Sequence, residues 1–362
     1  MTVAMTGSRG FLGWHTRAAL REASIEVAEI RVGDAFDLDD AIAAASSDRL
    51  IHIAGVNRAA DIEVEEGNPR FANQVAEAVR RAQAPPRTVV FANSTQSTNG
   101  SVYGEAKRRA AGVLADAAGE VGAEFVDVQL PNLFGEHGKP FYNAVTSTFC
   151  RLLADGDAPT VEQDRTLTLL HAQDAADALT GTVDPAQLPS LATDESVSGL
   201  LRRLTRFAGT YRAGEIPDVT ARFDRDLFNT YRSYTFPAAA PVQLTRHADA
   251  RGAFFEIIRT HGGTGQSSFS TTVPGVTRGD HFHRRKIERF TVLQGRARIS
   301  LRRLYSEEVV AFELTGDAPA AVDMPTMWAH NITNIGDEPL YTSFWTNNIF
   351  DPASPDTIAE VV

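Results

Sequence analysis

The stretch Thr6-Gly7-Ser-Arg-Gly10-Phe-Leu-Gly13 directly follows the apolar run Val3-Ala-Met5. Glycines at this spacing, placed where a strand gives way to a helix, let the backbone approach a pyrophosphate at the helix N-terminus. A turn of this kind belongs to a parallel sheet, and Leu50-Ile-His-Ile53, Thr88-Val-Val-Phe91 and Phe125-Val-Asp-Val128 supply further short apolar runs between Ala-rich helical stretches such as Gln74 to Ala82. Strands alternating with crossover helices predict a Rossmann-like α/β domain. Gly7, Arg9, Gly10, Phe11, Leu12 and Gly13 are the expected dinucleotide contacts. Beyond the second expected strand no ribose-binding acid stands in the usual place; Arg31 follows Ile30 instead, and a guanidinium there suits a 2′-phosphate. NADPH is therefore the expected cofactor.

At 362 residues the chain has room for two domains of ordinary size. Residues 178 to 235 read as less regular helix, clearest in the amphipathic spacing of Ser198 to Phe207. Thr235-Phe-Pro-Ala-Ala-Ala-Pro241 has no hydrophobic period and reads as a linker, so the expected domains are 1–238 and 239–362. After it, Phe254-Phe-Glu-Ile-Ile258, Arg289-Phe-Thr-Val-Leu293, Ala297-Arg-Ile-Ser-Leu301 and Val309-Val-Ala-Phe312 are short segments between Gly and Pro turns, the pattern of a small all-β barrel.

Composition removes several classes. A net charge of −11 argues against general nucleic-acid binding, which needs clustered Lys and Arg. No run approaches the ~20 apolar residues of a membrane span, and no basic n-region precedes the first strand, so the expectation is a cytoplasmic protein without membrane contact. Cys150 is the single cysteine, which excludes an intrachain disulfide and reads as core packing.

Two constellations carry chemistry. Tyr103 and Lys107 lie four apart, on one face of an expected helix, with Ser94 upstream after the Thr88 to Phe91 strand. A tyrosine exchanges protons near neutrality only when a cation stabilises its phenolate, the role expected of Lys107, and Ser94 would hydrogen-bond a carbonyl oxygen that gains negative charge. In the second half His281 and His283 alternate on one strand face, Glu288 returns after a short turn, and His330 follows within Pro325-Thr-Met-Trp-Ala-His330-Asn. Three imidazoles and a carboxylate suit a divalent metal: zinc first, with manganese, iron or nickel open.

The first half resembles the extended short-chain dehydrogenase/reductase family, on Thr6 to Gly13, Asp37-Leu38, His52-Ile-Ala54-Gly55, Ser94, Tyr103, Lys107 and Pro131-Asn132-Leu-Phe-Gly135. The resemblance implies that Asp37 and Leu38 lie near an adenine and Ala54 near the cofactor. Two departures stand out: only eight residues separate Ser94 from Tyr103, and Gln129 replaces a common Arg before the Pro-Asn loop. The spacing Gly275-x5-His281-x-His283-x4-Glu288-x6-Gly295 resembles the first motif of the cupin family, whose barrels hold a metal inside, and Pro325-x4-His330-x3-Asn334 resembles the second, with Met327 where Gly is usual. The whole chain resembles the CapF-type capsular polysaccharide synthesis enzymes. That resemblance implies a homodimer acting on a UDP-linked 2-acetamido-2,6-dideoxy-4-keto-hexose, with C3 epimerisation in the cupin and NADPH-dependent C4 reduction in the first domain. Arg58, Asn132 and Asn143 are the candidates for holding the sugar nucleotide. The alternative is a single reductase or epimerase activity, with the cupin used for dimerisation or ligand sensing.

Overall fold

The structure is a computed structural model that describes all 362 residues, and the chain divides into two compact units. The first comprises Met1–Phe134, Tyr142–Ala144 and Arg165–Glu195. Its core is a parallel sheet of β1 (Val3–Thr6), β2 (Val27–Ile30), β3 (Arg49–His52), β4 (Thr88–Ser94) and β5 (Glu124–Leu130), in the order β2-β1-β3-β4-β5. Helices α1 (Phe11–Glu22), α2 (Leu38–Ser46), α3 (Asp61–Arg80) and α4 (Val102–Val121) connect the strands. The central strands are apolar on both faces because helices cover both. Ala4, Leu50, Val89 and Phe91 pack on one side against Ala72, Val75, Ala76 and Leu114; Met5, Ile51, Val90 and Val128 pack on the other against Leu20, Leu170, Ala175 and Leu179. The chain moves from β2 across β1 to β3, so the strand order reverses at β1. The crevice outside the carboxyl ends of β1 and β3 is where such sheets bind ligands. A smaller sheet of β6 (Asn132–Phe134), β7 (Thr166–His171) and β8 (Thr193–Ser196), with α6 (Ala172–Thr180) and α7 (Leu188–Leu191), completes this region.

The second unit comprises Gly135–Phe141, Val145–Asp164 and Ser196–Val362. Helices α5 (Val145–Asp155), α8 (Val197–Arg212) and α9 (Arg222–Thr235) precede two five-stranded sheets. One runs β12 (Gln266–Thr272), β19 (Leu340–Thr346), β14 (Glu288–Gln294), β17 (Ala320–Met324), β9 (Val242–Gln243). The other runs β16 (Val309–Thr315), β15 (Arg296–Arg303), β18 (Trp328–Asn334), β13 (Thr277–Phe282), β20 (Ile358–Ala359). The strands of both sheets pair antiparallel, and Phe290, Val292, Ile299, Leu301, Val322, Met324 and Ile332 fill the space between the sheets as a barrel core. The hairpin β10 (His247–Asp249) and β11 (Gly252–Phe254) stands apart as its own two-stranded sheet.

The linker expected at residues 235–241 lies inside this unit, not between the two. The physical reason is polar docking of the helices before it: Asn229 Nδ2 donates to the Arg285 carbonyl (2.8 Å), Arg232 Nη2 to the Met324 carbonyl (2.5 Å), and Arg289 Nη1 to the Gly214 carbonyl (2.8 Å). The run Phe254 to Ile258 also departs from expectation, because β11 ends at Phe254 and residues 255–258 form no strand. No helix is long and apolar enough to cross a membrane.

Candidate active site and metal centre

The glycine turn sits at the reversal point of the first sheet. Thr6 Oγ1 accepts from the amides of Ile53 (3.0 Å) and Ala54 (3.1 Å) and meets His52 Nδ1 at 2.9 Å, tying the end of β1 to the end of β3. Side chains are excluded from the turn by contact: a Cβ on Gly7 would lie 2.7 Å from Ala54 N, and one on Gly13 would lie 2.0 Å from the Gly7 carbonyl oxygen. Gly10 caps α1 without a side-chain hydrogen bond, and the first turn, which contains Phe11 and Leu12, holds no acid. The helix N-terminus thus keeps its partial positive charge for an external anion. Those features fit a dinucleotide pyrophosphate.

The charged groups expected at the adenosine end are already engaged with carboxylates. Arg31 Nη2 is 2.5 Å from Asp37 Oδ2 and 3.1 Å from Asp40 Oδ2, while Asp37 caps α2 in a capping box with Asp40. Leu38 is exposed beside it. Arg9 pairs with Glu29 Oε2 at 3.2 Å, and Ser8 Oγ donates to the same oxygen at 2.9 Å. Glu29, on β2, is an acid beside the glycine turn that motif reading passed over, because it lies before the position where that acid is usually sought.

Ser94 ends β4, and Tyr103 and Lys107 follow on the first two turns of α4. The short interval between them is possible because Gly104 lets α4 press on the intervening 3-10 turn; a Cβ there would stand 2.0 Å from the Gln96 carbonyl oxygen. Burial raises the pKa of Tyr103, which keeps its phenol protonated at neutral pH. Lys107 is buried, lies 4.1 Å from the Phe91 ring centre and donates to the Ala92 carbonyl at 2.5 Å. Burial lowers its pKa to about 7, against the opposing pull of Asp127. Behind Ser94 runs a chain of polar contacts: Ser97 Oγ to Gln129 (3.1 Å), Gln129 Nε2 to Asp127 (2.7 Å), Asn93 Nδ2 to Asp127 (3.1 Å), and the Ser94 amide to Asn93 Oδ1 (2.8 Å). Gln129, the departure noted in the sequence, is a member of that chain. Of the proposed sugar-nucleotide residues, Arg58 lies over the Tyr142 ring at 5.8 Å and Asn143 adjoins that ring in sequence. Tyr142 in turn donates to Asn57 Oδ1 at 2.9 Å, and Asn132 donates separately to the Thr168 carbonyl at 3.2 Å.

In the barrel, His281, His283, Glu288 and His330 converge, their ligand atoms all within 4.8 Å of one another. The strand register explains it. His281 on β13 is opposite His330 on β18, while Glu288 opens β14 with its side chain on the same face as Phe290. His283 Nδ1 lies 2.6 Å from the Asp356 carbonyl and His330 Nδ1 3.0 Å from the Trp328 carbonyl. A carbonyl only accepts, so both Nδ1 atoms carry hydrogen, and a neutral ring then has its lone pair on Nε2. Those Nε2 atoms face Glu288 Oε2 at 2.9 and 3.3 Å. Burial lowers the pKa of His330, and burial with the neighbouring imidazoles lowers that of His281 to about 4, which favours neutral rings. Burial would raise the pKa of Glu288, but the adjacent His283 and His330 imidazoles hold it well below the usual carboxylate range. Neutral nitrogens and an ionised carboxylate crowded in one buried place are the donor set of a divalent metal, and the residues fit such an ion.

Comparison with known proteins follows the same division. The NAD dependent epimerase/dehydratase family matches residues 3–184, and the polysaccharide biosynthesis C-terminal domain matches residues 247–358. A UDP-2-acetamido-2,6-beta-L-arabino-hexul-4-ose reductase of Pseudomonas aeruginosa is 31% identical over 370 residues, covering 99% of this chain and 98% of the relative. The chain belongs to the NAD dependent epimerase/dehydratase family, in its CapF-type form. The crystal structure of the capsular polysaccharide assembling protein CapF from Staphylococcus aureus is 29% identical, with a TM-score of 0.64 and 100% of both chains covered. A further relative is the spore coat polysaccharide biosynthesis protein SpsL of Bacillus subtilis, 28% identical over 123 residues, which are 32% of this chain and 82% of SpsL. The CapF-type match thus spans both the Ser94, Tyr103, Lys107 set and the histidine cluster.

Proposed function

We propose that this chain is a bifunctional nucleotide-sugar enzyme that epimerises C3 and then reduces the C4 ketone of a UDP-2-acetamido-2,6-dideoxy-4-hexulose, giving a UDP-2-acetamido-2,6-dideoxy-L-talose. The observation that carries this reading is the presence in one chain of an intact Ser94, Tyr103, Lys107 set and a cluster of half-buried His281 with buried His283, Glu288 and His330. The end-to-end likeness to a protein named as a 4-ketose reductase supports it.

One functional group connects the two steps, because the C4 ketone both acidifies the proton on C3 and accepts hydride. When bound, NADPH supplies the hydride, and a divalent metal, zinc in the first instance, supplies positive charge for an oxygen that becomes negative. Gly7, Gly10, Phe11, Leu12, Gly13 and Ala54 hold the dinucleotide, with Arg9 and Arg31 toward its 2′-phosphate and Asp37 and Leu38 toward its adenine. Tyr103 gives its phenolic proton to the C4 oxygen. Lys107 offsets the charge left on Tyr103, and Ser94 hydrogen-bonds the carbonyl oxygen. Arg58, Asn132 and Asn143 orient the sugar nucleotide. In the barrel His281, Glu288 and His330 hold the metal, with His283 as the fourth ligand.

The deciding experiment follows NADPH oxidation with the UDP-linked 4-keto acetamido sugar, alongside loss of the C3 proton in deuterated water. Wild type should do both; Tyr103→Phe should exchange C3 without oxidising NADPH; His281→Ala should do neither from the unepimerised substrate. Equal turnover by His281→Ala and wild type would reduce the barrel to a structural part. The dinucleotide assignment is checked separately, by the ratio of KM for NADPH to KM for NADH, which Arg31→Ala should raise and Glu29→Ala should not.

A further inference from the structure

The ligand turn of the barrel is held by a segment remote from it in sequence. β20 pairs with β13 at the cluster itself, Ala359 opposite His281 and Ile358 opposite Phe282. Just before β20, Asp356 has a φ of 43°, in the left-handed region that Asp and Asn enter more readily than other side-chain-bearing residues. Both of its acceptors meet the chain between His283 and Lys286. The carboxylate takes three successive amides: Arg284 N on Oδ1 at 2.8 Å, Arg285 N on Oδ2 at 2.9 Å and Lys286 N on Oδ2 at 2.7 Å. The backbone carbonyl lies 2.6 Å from His283 Nδ1. Lys286 Nζ reaches back to the Pro355 carbonyl (3.3 Å) and Thr357 Oγ1 (3.1 Å).

These contacts act on the short link between two ligands. Charge-assisted bonds to three consecutive amides fix the backbone from His283 toward Glu288, and so the separation of the two side chains. The carbonyl selects the His283 tautomer and its ring orientation, leaving Nε2 directed at Glu288 Oε2. Partners one shell out from a metal act in this way on the geometry and basicity of its ligands. We propose that Asp356 is a positioning residue of the metal centre, its carboxylate and its carbonyl together presetting the arrangement in which His283 and Glu288 meet the ion. This rests on the metal reading of the cluster.

The test uses full-length protein and zinc alone. Dissociation constants come from competition with a chromophoric chelator for wild type, Asp356→Asn, Asp356→Ala and His330→Ala, with the visible spectrum of each cobalt-loaded protein and the unfolding midpoint of each metal-free one. Asp356→Asn keeps a residue suited to the left-handed backbone, removes the charge and replaces one of the two accepting oxygens with a donating NH2, so the three amides lose part of their clamp. It should bind zinc about 10–100-fold more weakly and shift the cobalt spectrum, while its metal-free midpoint stays near that of wild type. Asp356→Ala should be at least as weak, and if it fails to fold the Asn variant decides. Equal zinc affinity and an unchanged cobalt spectrum in Asp356→Asn would overturn the proposal. Failure of folded wild type to bind zinc more tightly than His330→Ala would overturn the metal reading and this inference with it, an outcome distinct from the first.

Discussion

Lys107 is a cation kept in an apolar place, against the Phe91 ring and hydrogen-bonded to the Ala92 carbonyl. Its folded pKa of about 7 lies below the ordinary 10.5, so the native protein binds fewer protons than the unfolded chain between those values. The resulting cost to stability is fully present below the folded value and fades as pH rises toward the unfolded one. Lys107→Met should therefore stabilise the ligand-free protein on the order of 3 kcal/mol at pH 6 and by little near pH 10, while abolishing reduction. Denaturant unfolding at the two pH values checks it; a variant less stable than wild type at pH 6 would contradict the assignment. Residues of this kind were legible in the sequence because their partners are close along the chain, as in the four-residue step from Tyr103 to Lys107. Glu29, Asp127 and Asp356 were not, since each acts on residues that only the folded backbone brings near: Glu29 on Ser8, Asp127 on Asn93, Asp356 on the amides of residues 284 to 286.

At the scale of single elements, β14 does two jobs through the alternation of a strand. Glu288, Phe290 and Val292 turn to the histidine cluster and the barrel core. Arg289 turns the other way and makes a buried bidentate pair with Asp323 on β17, at 2.6 and 2.8 Å, besides its bond to the Gly214 carbonyl. Burial works against Arg289, but Asp323 overcomes it and raises its pKa, so the guanidinium stays charged. Asp323→Asn leaves that charge without its counter-ion, and should cost about 3–5 kcal/mol; the midpoint and slope of urea unfolding measure it, and a loss below ~1 kcal/mol would mean that water enters the site. Sequence periodicity found this strand and the neighbouring Ala297 to Leu301, since both alternate apolar with polar residues. It could not tell that Arg289 is buried, because a lone arginine in an alternating strand reads as its solvent side. The amphipathic spacing at 198–207 likewise found α8 but not what α8 packs against.

Across the whole molecule the chain passes between its units five times, after Phe134, Phe141, Ala144, Asp164 and Glu195. A Pro/Ala-rich stretch draws attention to one boundary, whereas the division depends on contacts that no local composition records. A fragment of residues 239–362 lacks Asn229, Arg232 and Gly214, the groups that engage the barrel backbone and Arg289. It should aggregate or unfold at a lower temperature than a fragment of residues 196–362, as scanning calorimetry would register; equal midpoints would mean that those helices add nothing to the barrel. The Asp356 clamp has a consequence in time as well as in space. A ribosome extends the chain in order, so His281, His283, Glu288 and His330 all emerge before the residue that fixes two of them relative to each other. An ion captured early meets a loose ligand turn, and firm retention begins only once the segment around residue 356 has been made and has folded back. On the metal reading proposed above, loading would then be a late event in the making of this protein, sensitive to how much free ion is present at that moment.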